Sequence, residues 1–121
     1  MKLLVDSSVW IPFLRGHEAL PQAVQDAMSR GDSRICPVIW LEIYRGIRGK
    51  REEKIARELL KLSASLPFDE ACWSQANELS RKALRSGLNC PLADVLIVAC
   101  AQRHGAELMH ADKHMEALLA L

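Results

Sequence analysis

Little in this sequence suits a disulfide-stapled or metal-finger protein. Its four cysteines, Cys36, Cys72, Cys90 and Cys100, form no close pair and no finger spacing. Cys36 and Cys100 lie in apolar runs and read as small buried hydrophobes, which points to a reducing compartment. Aromatic residues are also scarce: three Trp, two Phe and one Tyr. So few rings argue against a stacking platform for single-stranded nucleic acid. No apolar run approaches the roughly 20 residues needed to cross a bilayer. After Lys2 only three apolar residues precede Asp6, too few for a secretory signal. The expected location is therefore cytoplasmic, with no membrane partner. Neither charge sign dominates, since the net charge is +1. A balanced total can still hide a basic face. With no repeat, low-complexity tract or linker, residues 1–121 are expected to form a single domain.

Half of the residues are hydrophobic and 26% are charged, an ordinary globular composition. A chain of 121 residues can bury a core without staples. Leu3–Val5 reads as a buried strand closed by a polar cluster. Ser7 and Ser8 offer N-caps for a helix starting near Val9, carrying Trp10, Phe13 and Leu14 and stopping at Gly16. A second helix is expected over Leu20–Ser29, with Pro21 in its first turn and Gly31 beyond its end. Arg34–Cys36 is a short second strand. Pro37 opens a largely buried helix to Gly49, and a charged amphipathic helix covers Glu52–Ser63. Leu66–Phe68 is a third strand, cut short by Pro67. Asp69 caps a helix to about Ser86 with Trp73, Ala76, Leu79, Ala83 and Leu84 on it. Pro91 opens a helix apolar nearly all round from Val95 to Ala101, which Gly105 ends. Ala106–Met109 is a fourth strand and Asp112–Leu121 a final helix. Strands alternating with helices imply parallel pairing in an α/β layered fold.

Four acids stand beside or inside apolar stretches, where a lone charge is costly to bury. Asp6 follows the first strand; Ser7 and Ser8 make it dispensable as a cap, although capping remains its simplest structural explanation. Glu42 sits among Ile39, Trp40, Leu41, Ile43 and Tyr44, and its structural alternative is a surface ion pair with Arg45 or Arg48. Asp94 lies in the first turn of the most apolar helix, where the helix dipole alone favours an acid. Asp112 follows the fourth strand and reads equally well as an N-cap. Taken together, Asp6 and Asp112 both follow parallel strands and share one sheet edge, the edge where α/β folds place ligands. Carboxylates gathered there suit Mg²⁺ or Mn²⁺. Such an ion lowers the pKa of bound water and stabilises charge on a phosphoryl group. Without a cation, mutual repulsion raises one or more of their pKa values.

Leu4-Val5-Asp6-Ser7-Ser8-Val9-Trp10-Ile11 resembles the first motif of PIN-domain ribonucleases, in particular VapC-type toxins of toxin–antitoxin pairs. The stretch Pro37 to Gly46, which contains Glu42 and Arg45, resembles the second motif. Pro91 to Ala101, containing Asp94, resembles the third, and Leu108-Met109-His110-Ala111-Asp112-Lys113-His114 the fourth. Each is loose alone; four in order across the chain are specific. The resemblance implies a three-layer α/β/α PIN-like fold around a central parallel sheet of four to five strands. It further implies a Mg²⁺- or Mn²⁺-dependent endoribonuclease, a hydrolase whose metal ligands are Asp6, Glu42, Asp94 and Asp112, with Ser7 supporting the site by hydrogen bonding. An antitoxin protein that occludes the site, and a homodimer built from the early helices, are implied as well. Three positions depart from the family pattern. His110 stands where Thr or Ser is common, His114 where a second acid is common, and Leu121 follows closely on the last helix, where many relatives continue into another strand.

Other readings compete with this one. His110, Asp112 and His114 would make a small transition-metal cluster, lacking a convincing fourth ligand. Asp6 as a phosphoryl acceptor would need a second Asp where Ser8 stands. A catalytically silent PIN-fold module that binds RNA or protein is the alternative in a different class, and loss of an acid would favour it. Trp10 and Trp40 beside the acids read as core packing. Arg45, Arg48, Lys50, Arg51 and Lys54 fall within ten positions. They read either as a helix face paired with Glu52, Glu53 and Glu58, or as a phosphate track with Arg45 and Arg48 on the RNA.

Overall fold

A computed structural model describes all of residues 1–121. Its strands are β1 (Leu3–Val5), β2 (Ser33–Ile35), β3 (Ala64–Ser65) and β4 (Glu107–Met109). Its helices are α1 (Ser7–Leu14), α2 (Gln22–Arg30), α3 (Pro37–Gly46), α4 (Gly49–Lys61), α5 (Glu70–Arg85), α6 (Leu92–His104) and α7 (Lys113–Leu119). The strands form one parallel sheet in the order β3-β2-β1-β4. From β1 to β3 the chain steps outward along the sheet, then jumps back across it to β4. Parallel crossovers are right-handed, so α5 and α6 cover the face opposite to α1–α4. The α/β/α arrangement expected from sequence follows, with four strands.

Leu4 and Val5 are fully buried, and burying such a side chain is worth about 1.5–3 kcal/mol. That burial seats β1 at the centre of the sheet. Cys36, Cys72 and Cys100 are buried too, and all four thiols are free. The neighbouring Cys36 thiol and burial push the Cys100 pKa far up. From Asp94 to Ala101 only Leu96 escapes full burial. No helix is long and apolar enough to cross a membrane.

Some expected boundaries shift. The third strand ends at Ser65 rather than covering Leu66–Phe68. Leu66 still donates its N–H to the Ile35 carbonyl at 2.7 Å, but Pro67 has no N–H with which to continue the ladder. The helix expected to run to Gly49 stops at Gly46, where Arg15 Nη2 donates to the Gly46 carbonyl at 2.9 Å. Gly49 has φ +80°, a conformation that glycine adopts without steric cost, and α4 starts there. The exposed face of α3 is larger than its sequence suggests, since Leu41 and Tyr44 are exposed and only Ile39 and Ile43 are buried. On α5 the buried line is Cys72, Ala76, Leu79 and Ala83. Trp73 and Leu84 fall outside it and are exposed, and Trp73 packs edge-on against Phe68.

Candidate active site

Val5 of β1 pairs with Met109 of β4, so the residues leaving these adjacent strands, Asp6 and His110, emerge side by side. The chain after β1 turns to one face as α1, and the chain after β4 enters α7, which packs on α6 on the other face. The crevice between such diverging connections is where open α/β sheets bind ligands. Asp6 N–H donates to the Met109 carbonyl (2.9 Å), and Ala111 N–H donates to Ser8 Oγ (3.0 Å), which stitches the two exits together.

Asp6, and not Ser7 or Ser8, is the N-cap of α1. Its backbone is extended (ψ 158°), so Oδ2 accepts from Ser8 N–H at 3.0 Å and from Ser8 Oγ at 2.6 Å. The other oxygen, Oδ1, is buried with no hydrogen-bond partner. Capping thus occupies one oxygen of the carboxylate and leaves the other without a partner. Ser7, released from capping, donates its Oγ hydrogen to Glu42 Oε1 at 3.0 Å.

Glu42 makes no ion pair with Arg45 or Arg48; its hydrogen bond is to Ser7. Burial pushes its pKa up; Ser7 opposes this, and the charges of Asp6, Asp94 and Asp112 add to the rise. Asp94, in the first turn of α6, is 7% exposed, and its Oδ2 has no hydrogen-bond partner. Burial, then Asp112 and Asp6, raise its pKa, while His114 lowers it. A helix dipole explains an acid in a first turn, but it does not explain a buried oxygen with no hydrogen-bond partner. Asp112 caps α7, with Oδ1 accepting from the N–H groups of His114 (2.7 Å) and Met115 (3.3 Å). All four acids therefore converge, each near enough to act on the charge of another.

The histidines divide differently from the cluster weighed in the sequence. His114 Nδ1 lies 3.5 Å from Asp112 Oδ1 and 3.8 Å from Asp94 Oδ2. His110 instead turns its Nδ1 to the N–H of Asp112 (3.3 Å). Ser8 was read only as a cap; its bridging of Asp6 and Ala111 depends on a long-range contact that no local pattern signals. Trp10 is core, donating its indole N–H to the Val5 carbonyl at 3.0 Å, whereas Trp40 is half-buried and tilts against Tyr44.

Arg45, Arg48, Lys50, Arg51 and Lys54 are all exposed. The nearby acids are engaged elsewhere: Glu52 by Arg15 and the Arg48 backbone N–H, Glu53 by Arg57, and Glu58 by Lys61. Five cations following Glu42 are left without ion pairs. A second cluster, Cys72, Cys100 and His104, is already satisfied, because His104 Nε2 lies 2.8 Å from the Pro67 carbonyl.

A parallel α/β fold with converging carboxylates at its switch point is the class described so far, and the sequence specifies it further. Residues 3–119 match the PIN domain family model, and the chain belongs to that family. It is 29% identical to the protein named "Ribonuclease VapC11" from Mycobacterium tuberculosis, over 96% of this chain and 90% of that one. Among solved structures it is similar to VapBC2 from Rickettsia felis bound to a promoter DNA fragment (TM-score 0.83, 17% identity, 97% of this chain and 92% of the other). It is similar also to DNA-bound VapBC from Salmonella typhimurium (TM-score 0.81, 14% identity, 96% and 91%).

Proposed function

We propose that this chain is a metal-dependent endoribonuclease, the toxin of a toxin–antitoxin pair, acting in the cytoplasm on RNA phosphodiester bonds. The observation that carries the reading is a pair of buried carboxylate oxygens, Asp6 Oδ1 and Asp94 Oδ2, without partners in a crevice that Glu42 and Asp112 also reach. Buried polar atoms are nearly always hydrogen-bonded. Orphaned anionic oxygens beside further acids fit a hard divalent cation, so Asp6, Glu42, Asp94 and Asp112 would hold Mg²⁺ or Mn²⁺. When bound, such an ion supplies a nucleophile by lowering the pKa of water and neutralises charge on the phosphodiester.

The chain's own residues prepare that chemistry. Ser8 and the α1 backbone hold Asp6 Oδ2, which leaves Oδ1 without a partner and available to a cation. Ser7 fixes Glu42 and favours its ionised form against burial. Met115 and Leu118, both buried, seat the helix that Asp112 caps. Arg45 in the last turn of α3 and Arg48 just beyond it, both free of ion pairs, draw the RNA backbone toward Glu42. The resemblance of the four motifs, and relatives named as VapC ribonucleases, support ribonuclease chemistry. The similarity to VapBC structures supports a cognate antitoxin protein, and the motif resemblance implies a homodimer.

The test is cleavage of a structured RNA by the purified protein in Mg²⁺ or Mn²⁺. EDTA should abolish it and excess metal restore it. Undiminished cleavage in EDTA overturns the reading.

A further inference from the structure

We propose that His114 is a nitrogen donor to the divalent ion, completing a donor set with Asp94 and Asp112 that favours Mn²⁺ over Mg²⁺; this rests on the metal site proposed above. One donor atom from each of Asp94, Asp112 and His114 lies within 4.8 Å of the others. The three come from two elements that meet only in the folded chain, α6 and the start of α7.

An ion pair or hydrogen bond is the competing account of His114. A charge-assisted N–H to carboxylate bond is about 2.7–2.9 Å long. His114 Nδ1 stands at 3.5 and 3.8 Å from the two carboxylates, within ion-pair reach of both when protonated but hydrogen-bonded to neither. It does not satisfy Asp94 Oδ2, which stays unpartnered although the Asp94 side chain is only 10% exposed. Donors bound at roughly 2.0–2.2 Å to one cation stand about 3.0–3.5 Å apart. The His114 separations, 3.5 and 3.8 Å, stand at and just beyond that range, and an inward movement of the three donors would bring them onto a shared centre. Asp112 Oδ1 accepts two helix N–H groups, and Oδ2 of the same carboxylate, with its own acceptor positions, is left for a ligand.

The donor chemistry sets the preference. Mg²⁺ takes oxygen ligands almost exclusively, whereas Mn²⁺, though also suited to oxygen and the weakest of its series, is a transition ion that accepts an imidazole among carboxylates. A nitrogen in the set therefore strengthens Mn²⁺ binding with little gain for Mg²⁺. His110 plays no such part, because its Nδ1 faces the Asp112 N–H.

The experiment pairs calorimetry with electron spin-echo spectroscopy, using MnCl₂ and MgCl₂ alone as probes. Wild-type protein with one Mn²⁺ should show the modulation of a directly bound imidazole nitrogen. His114→Gln should lose it and bind Mn²⁺ about tenfold more weakly, with Mg²⁺ affinity changed less than twofold. His110→Gln should keep both. His114→Asp, an all-oxygen set, should narrow the preference for Mn²⁺. Bound Mn²⁺ without nitrogen modulation, or modulation that survives His114→Gln, overturns the inference and leaves the carboxylate site intact. If the wild type binds neither ion more tightly than Asp94→Asn does, the metal site itself fails, and the inference fails with it.

Discussion

At Asp6 a structural duty and the proposed chemical one fall to different oxygens of one side chain. Its Oδ2 holds the first turn of α1 while Oδ1 is buried without a partner. Asparagine caps as well as aspartate, so Asp6→Asn should melt within a few degrees of wild type. The same variant should cleave RNA at least about 100-fold more slowly, as read by single-turnover assay. Wild-type cleavage by it removes Asp6 from the site, whatever its stability. Asp94 offers a second separation, through pH. Burial and neighbouring acids hold the Asp94 and Glu42 pKa values above the ordinary 3.8 and 4.5. The native state then binds protons more tightly than the unfolded state, so stability is lost as pH rises through those raised values. Melting of metal-free protein in EDTA should show Asp94→Asn more stable than wild type at pH 7. The gap should narrow toward pH 4, as the native carboxylate takes up its proton ahead of the unfolded one, and saturating Mn²⁺ should reverse it. A gap independent of pH refutes the electrostatic origin. The four acids were visible in the sequence as charges in apolar settings. Which oxygen of each was committed was not visible, because that depends on a single backbone angle and on Ser8 reaching Ala111.

The elements were legible where local chemistry dominates. Gly31 and Gly105 each lie in a left-handed conformation one residue beyond their helix, as the sequence implies. Boundaries shifted where a distant group intervened. Arg15, 31 residues away, takes the Gly46 carbonyl and ends α3 early; no window around Gly46 contains that information. Capping acids also look alike in sequence and differ in place. Asp69 caps α5 with Oδ1 on the Cys72 N–H at 3.0 Å, and that bond lowers its pKa. Its charged neighbours are Arg103 and His104 at the far end of α6, not the acids of the crevice. Asp69→Ala should therefore cost about 1 kcal/mol of stability, measured by denaturant melts, and leave the cleavage rate unchanged. A loss of activity beyond the fraction unfolded would contradict the division between capping acids and site acids.

Across the whole molecule the near-zero net charge hides an uneven distribution. Acids collect at the crevice, while exposed Arg45, Arg48, Lys50, Arg51 and Lys54 lie along the chain just after Glu42. The sequence left two accounts of this run open, because Glu52, Glu53 and Glu58 stand at spacings that allow helical ion pairs. Packing decides between them. Arg15, brought in from the end of α1, engages Glu52, and Arg57 and Lys61 hold the other two acids. Five like charges left unpaired on one segment should concentrate a polyanion there. Each phosphate neutralised on single-stranded nucleic acid contributes about 0.7 to the slope of log affinity against log salt. Replacing Arg45 and Arg48 together by Gln should therefore flatten that slope by about 1.4, in filter-binding titrations with Ca²⁺ in place of Mg²⁺ to suppress cleavage. Arg57→Gln, whose charge is committed to Glu53, should change it by much less. Equal slopes for the wild type and the double variant would detach this segment from RNA and leave the acid site without its proposed track.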